Sequence, residues 1–192
     1  MPTSARAKRD NSTLRRKVGL RLALLRELAD EPVVMETHGG YGAIWRRCYS
    51  QVERGIVFES DEARAQALAV QRPTWAVYEA KCETALEAGV GAHLPVNFLD
   101  LDPYGDPWPA LRAFFLSDRP RPDTMAVAVN DGLRQALRRN IGWNARSVAT
   151  AVRKYGNTAL HGVYLEACRE QLEELAGAAR YRLDGWTGYY CG

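Results

Sequence analysis

The chain has 192 residues, 46% of them apolar and 26% charged, with a net charge of +3. That length suits one domain with a sizeable core, and the composition is that of a soluble globular protein. No apolar run is long enough to span a membrane, and the cysteines (Cys48, Cys82, Cys168 and Cys191) are too scattered for a zinc motif or a disulfide framework.

Residues 1–12 are small, polar and basic, and are expected to be disordered; residues 13–192 then form a single domain. No secretory apolar segment directly follows the basic start, so a cytoplasmic protein with reduced thiols is expected. The charges are uneven. Arg6, Lys8, Arg9, Arg15, Arg16, Lys17, Arg21 and Arg26 crowd the beginning, and Arg134, Arg138, Arg139, Arg146, Arg153 and Lys154 form a second cluster. Two basic clusters suit a polyanion such as nucleic acid; a solvated tail and helix face would look the same.

Leu14, Val18, Leu22 and Leu25 predict a helix to about Asp30, capped by Ser12 or Thr13. Pro32 breaks it before a first strand, Val33–Met35, which ends on Glu36. A glycine-rich turn follows, with Gly39, Gly40 and Gly42, then a helix from Ala43 to about Arg54. The second strand, IVFE, closes on Glu59, and Ser60 can cap the helix after it. The third strand, TWAVYE, precedes the helix CETALEAG. The fourth, Val96–Asp102, runs into PYGDPWP and the helix ALRAFFL. The fifth spans Thr124–Asn130. From Asp131 to about Ala179 the pattern is helical, broken near Gly142 and Gly156, and YRLDG and GYYCG read as short closing strands. Alternating strands and helices predict a Rossmann-like, doubly wound α/β fold: a mostly parallel sheet with helices on both faces.

Ligands of such sheets bind at the carboxyl ends of the strands. Those ends supply Glu36 and the glycines, Glu59, Glu79 with Lys81 and Cys82, and Asp102 with Pro103, Tyr104 and Gly105. An acid ending the second strand is placed to accept hydrogen bonds from a ribose diol. Neither a GxGxxG nor a GxxxxGK[ST] pattern is present. His93 and His161 have no acids patterned around them, so no metal site is expected; Trp108 reads as core.

The order EThGGYG, VFES, LDLDPYG resembles the class I S-adenosylmethionine-dependent methyltransferases, over roughly Val33 to Asn130. Glu36, His38, Gly40 and Gly42 occupy the positions of that family's acid and GxGxG, with His38 in place of the first glycine. The resemblance implies S-adenosyl-L-methionine as cofactor, bound by Glu36, His38, Gly39, Gly40, Gly42, Glu59, Ser60, Glu79, Lys81, Cys82 and Asp102. The family's adenine-side acid falls close to Lys81 here; Glu79 or Glu83 can stand in for it. DPYG is similar to the DPPY-type motif of nucleic-acid amino-methyltransferases, and LDLDPYGDP is closer still to the tRNA N2-guanine dimethyltransferases.

The residue types suit that chemistry. An exocyclic amine conjugated to a base ring is a poor nucleophile. Asp102 and the Pro103 carbonyl can accept its N–H bonds and direct its lone pair, while Tyr104 stacks on the base. Methylation of an exocyclic amino group in RNA or DNA is therefore the expected activity, with Asp102, Pro103 and Tyr104 as catalytic residues. A small-molecule or protein methyltransferase, and a cofactor-binding module without turnover, are the alternatives.

Overall fold

The computed structural model describes residues 13–138 and 146–190. The expected disorder of residues 1–12, the break near Gly142, and the cations Arg6, Lys8, Arg9 and Arg139 lie outside the described residues, as does Cys191.

Five strands form the sheet: β1 (Val33–Glu36), β2 (Arg54–Glu59), β3 (Ala76–Glu79), β4 (Phe98–Leu101) and β5 (Ala126–Val129). Their order is β3-β2-β1-β4-β5 and every pairing is parallel. The chain builds outward from β1 through β2 to β3, then returns to place β4 on the other side of β1. The order reverses between β1 and β4, and in an open α/β sheet the ligand crevice lies at that reversal.

Side chains alternate across the sheet with period two. Val33 and Met35 of β1 join Ile56, Phe58, Leu99 and Leu101 in one core. That core is covered by α4 (Cys82–Glu87), α5 (Trp108–Leu116) and α9 (Tyr164–Ala178). Val34 joins Val57, Phe98, Ala126 and Ala128 in the other. There α1 (Leu14–Glu27), α2 (Trp45–Cys48) and α3 (Glu62–Gln71) close the face. Both faces of the sheet are thus covered, which is why β1 and β4 are buried at every position. The Rossmann-like α/β fold expected from the alternating pattern is the observed one.

Several elements depart from the sequence pattern. The helix expected over 43–54 shrinks to the four residues of α2. Beyond it, the Trp75 indole donates to the Val52 carbonyl at 2.8 Å and the Tyr49 hydroxyl reaches Asp100 at 2.7 Å, so tertiary bonds hold 49–52 in a turn. Asp61, not Ser60, caps α3: its carboxylate accepts from the Arg64 amide at 2.9 Å. The helical region after Asp131 divides into α6 (Leu133–Arg138), a 3-10 turn (Arg146–Val148), α7 (Ala149–Tyr155), α8 (Asn157–Leu160) and α9. Gly156, at φ +75°, makes the break between α7 and α8.

No strand forms over 181–190, contrary to the expected closing strands. Side-chain bonds hold this segment instead: the Tyr181 hydroxyl donates to the Pro122 carbonyl at 2.7 Å, and the Leu165 amide donates to the Tyr190 hydroxyl at 3.3 Å. Trp108 is core, as expected, with its indole donating to Asp131 at 2.9 Å. Among the described residues no helix is long and apolar enough to cross a membrane.

Candidate functional site

The glycine turn leaves β1 at the reversal point and folds back over β2. The Gly39 amide donates to the Phe58 carbonyl at 2.9 Å. A Cβ on Gly39 would lie 2.5 Å from Leu68 and 2.6 Å from Val57, so the close approach requires glycine. Gly40 and Gly42 take φ values of +52° and +70°, backbone that side-chain-bearing residues rarely adopt.

Glu59, at the end of β2, ties the turn down. One carboxylate oxygen accepts from the Gly40 amide at 2.8 Å and the other from the Asp61 amide at 3.0 Å. Arg64 lies 3.2 Å away. A cavity of about 80 Å³ opens beside it, lined by residues including Thr37, His38, Glu59, Ser60, Lys81 and Cys82. Lys81 and Ser60 are exposed, and Cys82 is buried. Glu79 is exposed and is not among the residues lining this cavity.

Glu36 does not face the cavity. By the strand period it points to the same face as Val34, where it is 3% exposed and pairs with Arg72 at the end of α3. The Arg72 guanidinium lies over the rings of Trp45 and Trp75, 5.0 and 5.3 Å from their centroids. Next to Glu36 in the register stands Asp100 of β4, a residue whose role strand-end reasoning missed. Asp100 takes two hydrogen bonds from Arg21 of α1, at 2.7 and 2.5 Å, and one from the Tyr49 hydroxyl at 2.7 Å. Arg21, counted in the sequence as part of a surface basic cluster, is 1% exposed and lies in the core. Two carboxylates thus sit side by side at the reversal point, each with its own arginine.

Burial and the neighbouring Asp100 push the Glu36 carboxyl up to about 7 against the pull of Arg72. The unfolded chain loses that proton near 4.5, and the folded chain keeps it until about 7. Within this window the native state holds more protons, so stability falls as pH rises. The unfolding free energy of wild type relative to Glu36→Gln is expected to drop across the window, by at most about 1.4 kcal/mol per pH unit. Denaturant titrations at a series of pH values measure it; a flat difference would show Glu36 to be ionised throughout.

At the end of β4, Asp102 is half-buried and its carboxylate takes a hydrogen bond from the Lys17 ammonium of α1 at 2.6 Å. Pro103 is buried, while the Tyr104 side chain is fully exposed. An aromatic ring with no packing role, one residue past a buried proline, is available to stack on a ligand. The basic clusters contribute less free charge than their count suggests. Lys154 pairs with Glu170 at 2.7 Å, Lys17 with Asp102 at 2.6 Å, and Arg21 with Asp100 at 2.5 Å.

The structure also gathers His38, Cys82 and Glu83, whose ligating atoms all lie within 4.8 Å of one another. Sequence spacing hid this group, because 44 residues separate His38 from Cys82.

No family model matches the sequence. No curated protein matches it either. Among solved structures the chain is similar to the candidate methyltransferase yhhF of Escherichia coli, with a TM-score of 0.50 and 15% sequence identity. The match covers 59% of this chain and 66% of that one. Likeness at this level establishes a shared Rossmann-like α/β fold.

Proposed function

We propose that the chain is an S-adenosylmethionine-dependent methyltransferase acting on an exocyclic amino group of a nucleic-acid base. The observation that carries this reading is the lip of β4, where a half-buried carboxylate, Asp102, stands two residues before the fully exposed ring of Tyr104. It lies at the reversal of strand order, beside a glycine turn held by an acid at the next strand end. The residues suit the ribose end of the cofactor: Glu59 stands at the end of β2, with Ser60, Lys81 and Cys82 around the adjoining cavity. S-adenosylmethionine supplies a methyl group on an electrophilic sulfonium. The chain supplies acceptors for the amine N–H bonds at Asp102 and Pro103, and a stacking surface at Tyr104.

The cavity of about 80 Å³ is far below the roughly 300 Å³ of the smallest ordinary ligand pockets. A cofactor of that size would therefore extend beyond this cavity. That small cavity, with His38 in the position of a glycine, favours a second reading: a binding module of this fold without turnover.

Calorimetric titration with S-adenosylmethionine and S-adenosylhomocysteine tests the cofactor. Micromolar binding, about 8 kcal/mol, is expected, with a weaker value for Glu59→Ala, which loses both the ribose acceptor and the tie to Gly40. Binding of neither ligand would sink the methyltransferase reading. An RNA or DNA acceptor further requires affinity that falls steeply with salt; a flat salt response points to a small molecule or a protein.

A further inference from the structure

We infer that His38, Cys82 and Glu83 form a site for a thiophilic divalent cation of the zinc type. Their ligating atoms lie within 4.8 Å of one another, so a small side-chain adjustment brings all three onto one ion. A tetrahedral zinc with ordinary Zn–N and Zn–S bonds holds its nitrogen and sulfur about 3.5 Å apart. His38 Nε2 and Cys82 Sγ are 3.8 Å apart.

The surrounding hydrogen bonds orient the imidazole as a ligand. The single hydroxyl proton of Thr37 goes to the Asp100 carbonyl at 3.1 Å. With the hydroxyl donating there, the 2.8 Å contact between Thr37 Oγ1 and His38 Nδ1 is donated by the ring. In that tautomer Nδ1 carries the proton and Nε2, 3.8 Å from the Cys82 sulfur, is free to ligate. A ligating histidine is held in this way when its far nitrogen donates to a fixed acceptor. The donor set of one nitrogen, one sulfur and one carboxylate oxygen selects zinc-like ions over magnesium or calcium, which take oxygen ligands.

All three residues line the cavity of about 80 Å³, which has room for the roughly 30 Å³ of a water molecule as fourth ligand. Binding forms the metal–sulfur bond and releases the Cys82 thiol proton to solvent, so one proton leaves per metal bound.

Cobalt(II) is the probe, since its thiolate complexes absorb by charge transfer and tetrahedral coordination shows in the visible bands. Titration of the full chain is expected to develop both signals at one cobalt per chain, and zinc should displace them. Cys82→Ser should abolish the charge-transfer band, whereas Cys48→Ser and Cys168→Ser should leave it unchanged. Because Cys82 is buried, Glu83→Gln gives a second arm: the exchange is isosteric and should weaken cobalt binding about tenfold or more. A wild-type chain without the thiolate band, or a band that survives in Cys82→Ser, overturns the site.

The cavity is also the one assigned above to the cofactor, so zinc and S-adenosylmethionine should exclude each other. That consequence rests on the cofactor reading, and equal cofactor affinity with and without zinc overturns it. The cobalt spectrum judges the metal site by itself.

Discussion

Arg21→Met is expected to destabilise the fold by about 3–5 kcal/mol, the usual cost of leaving a buried charge without its partner. Arg21 is 1% exposed and Asp100 is 2% exposed. Burial alone would pull the Arg21 guanidinium downward, but the adjoining Asp100 carboxylate outweighs it and holds Arg21 above its ordinary range. Methionine fills much of the volume, so the loss reports charge and not a cavity. Of the three hydrogen bonds that the Asp100 carboxylate accepts, only that from Tyr49 remains in the variant. Burial first, and then Asp100, also hold the Tyr49 hydroxyl above its usual range, so Tyr49 stays a proton donor. Urea unfolding measures the change. The double variant Arg21→Met, Asp100→Leu should recover most of it, because an apolar pair of similar size often replaces a buried ion pair without loss. A single-variant effect below about 1 kcal/mol would mean that water reaches Asp100.

Asp102→Ala should cut methyl transfer on the order of 100-fold or more in kcat, with cofactor affinity held within a few-fold. The proposed amine attacks the sulfonium only when its lone pair is turned away from the base ring. The acceptor at Asp102 supplies that orientation, and its benefit is greatest in the transition state, so its loss falls on kcat. Asp102→Asn keeps a carbonyl oxygen as acceptor and should retain more activity than Asp102→Ala. The alanine variant also frees the Lys17 ammonium, now bonded to Asp102 at 2.6 Å. Lys17→Met is therefore the control: it removes the ion pair and leaves the carboxylate. Transfer of a labelled methyl group to amine-bearing RNA and DNA reads the outcome. Full activity in Asp102→Ala would dismiss the mechanism, and cofactor binding with no transfer by wild type would favour the module without turnover.

The two arginines show where sequence reading stops. Arg21 and Asp100 are 79 residues apart, and Arg72 and Glu36 are 36 apart. Arg21 sits among Arg15, Arg16, Lys17 and Arg26, a run counted together as one basic cluster. Helical spacing sets Arg21 beside the apolar stripe, seven residues from Leu14, three from Val18 and four from Leu25, but the carboxylate that holds it comes from another strand. Glu36 looks like a ligand acid at a strand end. Side-chain alternation instead turns it onto the face where Arg72 arrives from α3.

The sequence by itself determined the layered α/β architecture, the five strands in their order along the chain, and the loops at their carboxyl ends. Those features follow from hydrophobic period, glycine and proline placement and crossover length, all of which are local. Local signals failed wherever a distant partner competed for the backbone. Residues 49–52 leave the helical path for Trp75 and Asp100, and residues 181–190 are held by side chains without a strand. Only the tertiary structure decided which strand-end acids are occupied internally, that Tyr104 is bare to solvent, and that His38, Cys82 and Glu83 meet. Each depends on the strand order β3-β2-β1-β4-β5, which brings distant segments within a few ångströms, and such proximity has no period in the sequence.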